Sequence, residues 1–234
     1  MRVLVTRPET DAARTAARLA ELGHEAVVEP LLTLEAKPIE RMPAGPFVAL
    51  AATSANALRI AARIKALDPV RGLPLHAVGT HTADAAHAAG FHTVVDAEGD
   101  AAALAASIAR VVQSPGRVLH LAGDVRAKEL AVLLAPRGIE VDVLELYRMR
   151  PAEKLHISAA LLGAGRIDAV LHFSPRSAAT FVGLVQRGGL TEMARRPRHL
   201  CLSQAVAAEL MAIGVSAEIA AEPNETALLA LLNS

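Results

Sequence analysis

Short runs of Val, Leu, Ile and Ala alternate along this chain with Ala/Leu-rich stretches in which apolar residues return every three or four positions. The first pattern predicts strands and the second helices, and their alternation predicts an α/β protein built on parallel sheets. Strands are expected at 2–6, 47–52, 75–78, 92–95, 117–121, 168–173, 199–202 and 215–219. Helices are expected at 9–22, 100–112, 125–136, 177–186, 203–213 and 225–232, with others filling the remaining gaps. In the first helix Ala13, Ala16, Ala17 and Ala20 form a small-residue face that can lie close on a sheet, and Gly23 ends it. Two stretches read as connections. Residues 30–46 hold prolines at 30, 38, 43 and 46, too many for a helix or a central strand. Residues 141–151 are strand-like and then broken at Pro151.

The pattern also repeats. A shift of 115 lays Val3-Leu4-Val5 on Val118-Leu119-His120 and Gly23 on Gly138. A shift of 121 lays Thr53-Ser54-Ala55-Asn56-Ala57 on Ser174-Pro175-Arg176-Ser177-Ala178. A shift of 124 lays Val78-Gly79 on Leu202-Ser203 and Gly90 on Gly214. Any two α/β halves share one such match; three in the same order point to a duplicated unit. The repeat alone would put a domain boundary near Ser114-Pro115-Gly116.

Composition narrows the function. Hydrophobic residues make up 53% of 234, yet none of the apolar runs approaches the ~20 residues that cross a bilayer. The N-terminal Met1-Arg2-Val3-Leu4-Val5 reads as a strand and not as a signal peptide. The single cysteine, Cys201, excludes an internal disulfide and fits a reducing compartment, so a cytoplasmic protein is expected. Lysine plus arginine and aspartate plus glutamate number 24 each, which removes the global field of a general nucleic-acid binder. Aromatic residues are 2%, with no tryptophan, so a base-stacking platform is excluded as well.

In open parallel sheets ligands bind beyond the carboxyl ends of the strands, where helix N-termini present N–H groups. The chain puts its polar residues at those junctions: Thr6-Arg7-Pro8, Thr53-Ser54-Ala55-Asn56, Gly79-Thr80-His81-Thr82, Ala122-Gly123-Asp124, Ser174 to Ser177, Ser203-Gln204 and Pro223 to Thr226. For any one junction a helix N-cap, worth about 1 kcal/mol, explains the hydroxyl or amide. Taken together with Arg7, Arg126 and Arg176 they read as an anion-binding rim. No GxGxxG follows a strand, and there is no GxxxxGK[ST] and no GxSxG. His76, His81, His87 and His92 are not spaced as ligands on a helix and no cysteine joins them, so no metal site is expected. Cys201 in its apolar strand reads as an inert buried thiol. Tyr147, the only tyrosine, precedes Arg148-Met149-Arg150-Pro151; it is either a packing aromatic at a boundary or a hydroxyl donor beside a cationic pair.

Several of these segments together resemble the uroporphyrinogen-III synthases over nearly the whole chain: Val3 to Pro8, Pro30-Leu31-Leu32, Thr53 to Ala57, Ala77 to Ala83, Tyr147-Arg148, Phe173 to Ala178 and Glu222 to Ala227. The resemblance implies two similar parallel-sheet α/β domains, flavodoxin-like and three-layered, joined by two extended strands. One domain would comprise 1–32 and 148–234 and the other 36–145, with linkers near 32–36 and 142–148. Each domain would then mix parts of both repeats. The implied substrate is hydroxymethylbilane, a linear tetrapyrrole with eight carboxylates, closed to uroporphyrinogen III with loss of water and inversion of ring D through a spiro intermediate. No cofactor is implied, because the electron-rich pyrrole expels its own hydroxyl. Tyr147 corresponds to the family's tyrosine at a cleft between the domains, the candidate for assisting that loss by hydrogen bonding. Substrate binding is expected from Arg7, Thr53, Ser54, Asn56, Thr82, Gly123, Arg126, Arg148, Ser174, Arg176, Ser177, Ser203, Asn224 and Thr226. The family threonine matched by Thr82 has Val206 at the corresponding place in the second repeat, so Ser203 stands in there. The same resemblance implies a monomer that closes on its substrate, with no nucleic-acid or membrane partner and a transient contact with the preceding pathway enzyme. Three rivals account less well for the ordered motifs: a non-catalytic binding or sensing module of the same fold, an exported ligand-binding protein, which lacks its signal here, and a phosphate- or nucleotide-using enzyme, which lacks its glycine-rich loop.

Overall fold

The structure, a computed structural model, describes residues 1–39, 41–124 and 128–233. In chain order its strands and helices are β1 (Arg2–Val5), α1 (Glu9–Glu21), β2 (Glu25–Val28), β3 (Leu32–Ala36), β4 (Ala49–Ala52), α2 (Ala55–Ala61), β5 (Leu75–Ala77), α3 (Thr80–Ala88), β6 (Val94–Asp96), α4 (Ala101–Val111) and β7 (Gly116–Gly123). They continue with α5 (Glu129–Leu134), β8 (Ile139–Pro151), α6 (Ile157–Gly163), β9 (Ala169–His172), α7 (Pro175–Arg187), α8 (Thr191–Ala194), β10 (Arg198–Cys201), α9 (Gln204–Leu210), β11 (Glu218–Ile219) and α10 (Glu225–Ala230). Among the described residues no helix is long and apolar enough to cross a membrane.

The chain forms two compact units, one of Met1–Thr33 with Arg150–Ser234 and one of Leu34–Met149. The first is built on a five-stranded sheet in the order β2-β1-β9-β10-β11, the second on a six-stranded sheet in the order β8-β7-β4-β5-β6 with β3 outside β8. The registers of β1 with β2 and β9, of β4 with β5 and β7, and of β7 with β8 are all parallel. Overlaying the two sheets pairs β1 with β7, β2 with β8, β4 with β9, β5 with β10 and β6 with β11. Each repeat therefore supplies its first two strands to one unit and its last three to the other, and the units are circular permutations of one doubly wound pattern. Ser114, Pro115 and Gly116, the boundary that the repeat alone would choose, lie inside the second unit, where the chain passes from α4 into β7.

Period-two alternation sorts the strand residues onto two faces. In the first unit Leu4 and Val170 face a core with Phe181, Val185 and Leu210 of α7 and α9, while Val3, Val5, Ala169 and Leu171 face Leu19 of α1 and Leu228 of α10. In the second, Leu50, Leu119 and Leu121 pack with Leu58 and Ala86 of α2 and α3; Ala49, Ala51 and Val118 pack with Leu104, Ile108 and Leu130 of α4 and α5. Both sheets are thus covered on both faces, the three-layer arrangement that the continuous apolar strands require. Each fully buried Leu or Phe contributes roughly 1.5–3 kcal/mol of burial.

The repeat extends to details that the three offsets did not reveal. Gly90 and Gly214 end their helices with φ of 84° and 70°, a backbone that glycine adopts without strain. Beside Gly90, Arg71 donates to the Ala89 carbonyl and pairs with Asp68; beside Gly214, Arg195 donates to the Ile213 carbonyl and pairs with Glu192. The four residues Asp68, Arg71, Ala89 and Gly90 map on Glu192, Arg195, Ile213 and Gly214 at the same spacing of 124, so an arginine staple across a helix C-terminus is duplicated with the fold.

Several expectations shift. The stretch 142–148, expected as a connection, lies within β8, which is paired to β7 as far as Tyr147. β3 takes the sheet edge, where the flanking prolines cost no ladder bonds. It runs opposite to β8: the Lys37 N–H donates to the Leu146 carbonyl at 2.8 Å and Glu35 faces Arg148. β2 went unpredicted, being four residues at a sheet edge and only partly buried. The helix expected from residue 125 is described from Glu129, and residues 125–127 lie outside the described residues. The offset of 121 is corrected to 120, because Ser54 and Ser174 are the matching caps, with φ, ψ of −152°, 128° and −150°, 150°. Similar hydroxyl chemistry laid Thr53 on Ser174; the backbone places the cap one residue later.

Candidate functional site

Open sheets of this order change winding direction between the first and third strands of the pattern, which opens a crevice beyond their carboxyl ends. Those strands are β7 and β4 in the second unit and β1 and β9 in the first.

In the second unit the β7/β4 end carries a tyrosine. Ala122 pairs with Glu145 but Gly123 pairs with Tyr147, so Leu146 is an extra residue on β8. Such a bulge re-aims the side chain that follows it. Here it lays the Tyr147 ring across Gly123. A Cβ on Gly123 would stand 2.5 Å from the ring Cζ and 2.7 and 2.9 Å from the two Cε atoms, so only glycine allows this approach. The Asp124 N–H donates to the Tyr147 carbonyl at 3.1 Å, which holds the backbone there. The phenol then donates to Ser54 Oγ at 3.0 Å, a residue 93 positions away. Ser54 caps α2, accepting from the Asn56 N–H at 3.2 Å. Its own proton has no acceptor among the described residues.

Around this pair the rim is polar. Asn56 Oδ1 accepts from Arg59 at 2.7 Å, and Arg59 reaches His81 Nε2 at 3.4 Å. Arg59 was not among the expected residues, although its place three positions after Asn56 on a helix sets it on the same face. Thr53 turns inward, its hydroxyl 3.3 Å from His120 Nε2. Thr82 is buried in the first turn of α3, whose N-cap is Gly79 with no side-chain cap. Arg148 is engaged by Glu35 through two hydrogen bonds of 2.8 and 3.0 Å, and this pairing raises its pKa above the ordinary arginine value. Arg148, expected to bind substrate, thus has a bidentate internal partner in Glu35. Arg126 lies outside the described residues.

In the first unit the β1/β9 end is closed by its own hydroxyls. Ser177 is buried and donates within 3.3 Å of both the carbonyl and the hydroxyl of Thr6, and Thr6 donates to the Leu171 carbonyl. Ser177 therefore serves the strand end and not the surface. Ser174 caps α7 by accepting from the Ser177 N–H. Arg176 stands in the first turn of that helix, its carbonyl accepting from Thr180. Asn224 caps α10 through the Ala227 N–H while its amide donates to Glu222. Ser203, at the start of α9, makes no side-chain cap bond. For Ser174 and Asn224 the capping explanation of their residue type is the one observed.

Arg7 is likewise drawn inward. Its guanidinium lies 4.2 Å from the Phe173 ring centroid and within 3.4–3.5 Å of Glu225 and Asp11. Burial holds its pKa below the ordinary value, with the two carboxylates acting the other way. Glu225 also faces Arg14 at 3.6 Å and Arg18 at 3.4 Å, and Arg18 donates to Thr226. Three arginines thus share one glutamate, and Arg7 and Thr226, read as rim donors, belong to this network. Arg14 and Arg18 were missed because their partner is more than 200 residues away.

Fold and site define a class: a two-unit, doubly wound α/β protein with a polar rim at the strand ends and a lone phenol at one crevice. The chain belongs to the uroporphyrinogen-III synthase family, whose model, described as uroporphyrinogen-III synthase HemD, matches residues 13–230. The family places it in tetrapyrrole biosynthesis, among the lyases. The fold is shared with solved structures. Uroporphyrinogen-III synthetase from Helicobacter pylori aligns with a TM-score of 0.70 at 20% identity, over 100% of this chain and 99% of that one. A mutant uroporphyrinogen III synthase from the extremely thermophilic bacterium Thermus thermophilus aligns with a TM-score of 0.57 at 20% identity, over 100% and 96%. No curated protein matches the chain significantly by sequence.

Proposed function

We propose that the chain cyclises hydroxymethylbilane to uroporphyrinogen III, acting as a cyclising hydro-lyase on a linear tetrapyrrole with eight carboxylates. The carrying observation is Tyr147, its ring held over Gly123 and its hydroxyl against Ser54 at the β7/β4 strand ends. In the reaction the C–O bond of the terminal hydroxymethyl group breaks, and the pyrrole nitrogen lone pair compensates the carbon. The oxygen takes up one proton and departs as water while the pyrrole N–H releases one, so the ring is left as a neutral azafulvene. The azafulvene so formed is attacked by the substituted α-carbon of ring D; the spiro intermediate fragments and closes again with ring D inverted.

Two tasks follow for the protein. One is a hydrogen bond to the departing oxygen, for which Tyr147 is the half-buried donor at the crevice. The other is orientation, since the unassisted bilane closes without inversion and only a fixed geometry directs the more hindered carbon to attack. Carboxylates of the substrate would be seated by local donors, consistent with a chain of zero net charge. The first turn of α3, where no side chain at Gly79 caps the Thr80 and His81 N–H groups, offers such donors, and Arg59 beside Asn56 offers a cation. Cys201, one buried thiol with no partner for a disulfide, fits a cytoplasmic setting.

The test incubates freshly generated hydroxymethylbilane with the purified protein and separates the oxidised porphyrins by isomer. Predominantly type III product supports the reading. Type I alone, as in a protein-free control, would leave a binding or sensing module of the same fold.

A further inference from the structure

We propose that Ser54 and Gly123 are positioning residues for Tyr147 and not substrate ligands, Ser54 fixing and polarising the phenol hydroxyl and Gly123 providing the floor on which the ring rests. The inference rests on the catalytic reading of Tyr147 given above. Ser54 Oγ lies at the junction of two hydrogen bonds, 3.2 Å from the Asn56 N–H and 3.0 Å from the Tyr147 hydroxyl. The first is fixed in direction, because an amide only donates. The second joins two hydroxyls, whose protons rotate to suit their partners. In the arrangement observed, Tyr147 donates to Ser54.

When an acceptor oxygen arrives at the phenol, both protons turn. Tyr147 donates outward and Ser54, its proton otherwise unmatched, donates to the phenol oxygen. The chain then runs one way, from the Asn56 N–H through Ser54 and Tyr147 to the departing oxygen. Each bond polarises the next, so the phenol becomes a better donor when it is used. No covalent bond changes in this step, and no proton leaves its oxygen.

Gly123 completes the arrangement. The ring sits closer to its Cα than any side chain permits, with Cζ at 2.5 Å from where a Cβ would stand. Ring contact below and a hydroxyl anchor at the tip leave the phenol one position. Neither residue needs to touch the substrate for its loss to slow the reaction.

The composition supplies a direct probe. The chain has one tyrosine and no tryptophan, so tyrosine emission reports Tyr147 alone. Time-resolved anisotropy of that emission follows whole-protein tumbling if the ring is fixed and gains a fast component if it is loose. Ser54→Gly removes the hydroxyl while keeping a residue that caps helices nearly as well. It is expected to add the fast component and to lower kcat for type III formation about tenfold with KM unchanged, the weight of one hydrogen bond made at the transition state. Ser54→Thr, which restores a hydroxyl, is expected to restore both readouts. In Ser54→Gly combined with Tyr147→Phe, kcat should equal that of Tyr147→Phe alone, because Ser54 acts only through the phenol. Gly123→Ala should displace the ring and change the same two readouts.

A raised KM with unchanged kcat and anisotropy in Ser54→Gly would overturn the proposal and return Ser54 to substrate binding; losses that multiply in the double variant would do the same. If Tyr147→Phe leaves kcat intact, it is the catalytic reading of Tyr147 that fails. The anisotropy of Ser54→Gly then still decides whether Ser54 holds the ring, an unchanged decay overturning it.

Discussion

The first unit carries a pair of histidines in its core, and their geometry predicts how stability falls in acid. The Ala194 carbonyl lies 2.7 Å from His199 Nε2 and only accepts, so the proton is on Nε2 and Nδ1 is bare. His172 Nε2 stands 3.0 Å from that Nδ1 and must therefore donate to it. His172 Nδ1 is left as a lone pair with no partner among the described residues. Both rings are neutral, stacked 5.2 Å apart and edged by Phe181. Burial pushes the pKa of His172 well below its ordinary value, with His199 adding to the shift. Burial also lowers His199, while the Ala194 carbonyl acts the other way.

In the unfolded chain both titrate near pH 6.5, so below that pH the unfolded state binds protons that the folded state refuses. Their contribution to stability is complete above about pH 6.5 and is lost as the pH falls toward the depressed folded values. The slope reaches at most about 1.4 kcal/mol per pH unit for each histidine so held, and His76, buried and lowered in the second unit, adds to the pair. Urea unfolding followed by far-UV circular dichroism at about pH 7.5 and about pH 5.5 measures the difference; carboxylates titrate lower and contribute little there. His172→Gln keeps an N–H donor near the position of Nε2 but cannot titrate, so the slope should fall, the remainder coming from His199 and from His76 of the second unit, which burial also holds below its ordinary value. A slope unchanged in that variant, or a wild type whose stability is flat over this interval, refutes the reasoning.

Other expectations follow from single features of the fold. Arg71 donates to the carbonyls of both Ala61 and Ala89, so Arg71→Ala should cost about 2–3 kcal/mol, read as a lower thermal midpoint, and Arg195→Ala should cost less because it frees one helix carbonyl. Glu29 is buried at the end of β2 and accepts from the His156 and Ser158 N–H groups at the start of α6; Glu29→Ala leaves both unmatched and should destabilise by roughly 2–4 kcal/mol in urea, with Glu29→Gln milder. Cys201 is fully buried, and desolvation pushes its thiol up to about 12. A disulfide reagent at neutral pH should therefore leave the native protein unmodified and react once per chain after denaturation; rapid reaction of the native protein would contradict the packing of β10.

The surroundings of the site residues were legible in the sequence only in part. Residue type at a strand-to-helix junction shows that a polar group is wanted, and Ser54, Ser174 and Asn224 are indeed caps. It does not show where the side chain is spent. Arg7, Arg148 and Ser177 look alike in sequence to open donors, yet Glu225, Glu35 and Thr6 occupy them, at separations of 218, 113 and 171 residues. Arg59 was overlooked for the opposite reason, a surface arginine on a helix being ordinary until Asn56 and His81 are seen beside it.

By itself the sequence determined what depends on near neighbours. The alternation of apolar runs and helical periods set the α/β class, and the hydroxyl and amide caps marked helix starts. Gly23 marked a helix end, and Gly90, Gly138 and Gly214 share its positive φ. Short matching stretches at three nearby offsets exposed the duplication, because such signals are local and survive in the linear string. Tertiary structure decided everything that requires two distant segments to meet. It set the exchange of half-repeats between sheets, the bulge at Leu146 and the approach of Tyr147 to Gly123 and Ser54. The same holds for which arginines find internal carboxylates. Strand pairing and charge neutralisation depend on separation in space, and a chain that crosses between two sheets brings together residues that no local pattern relates.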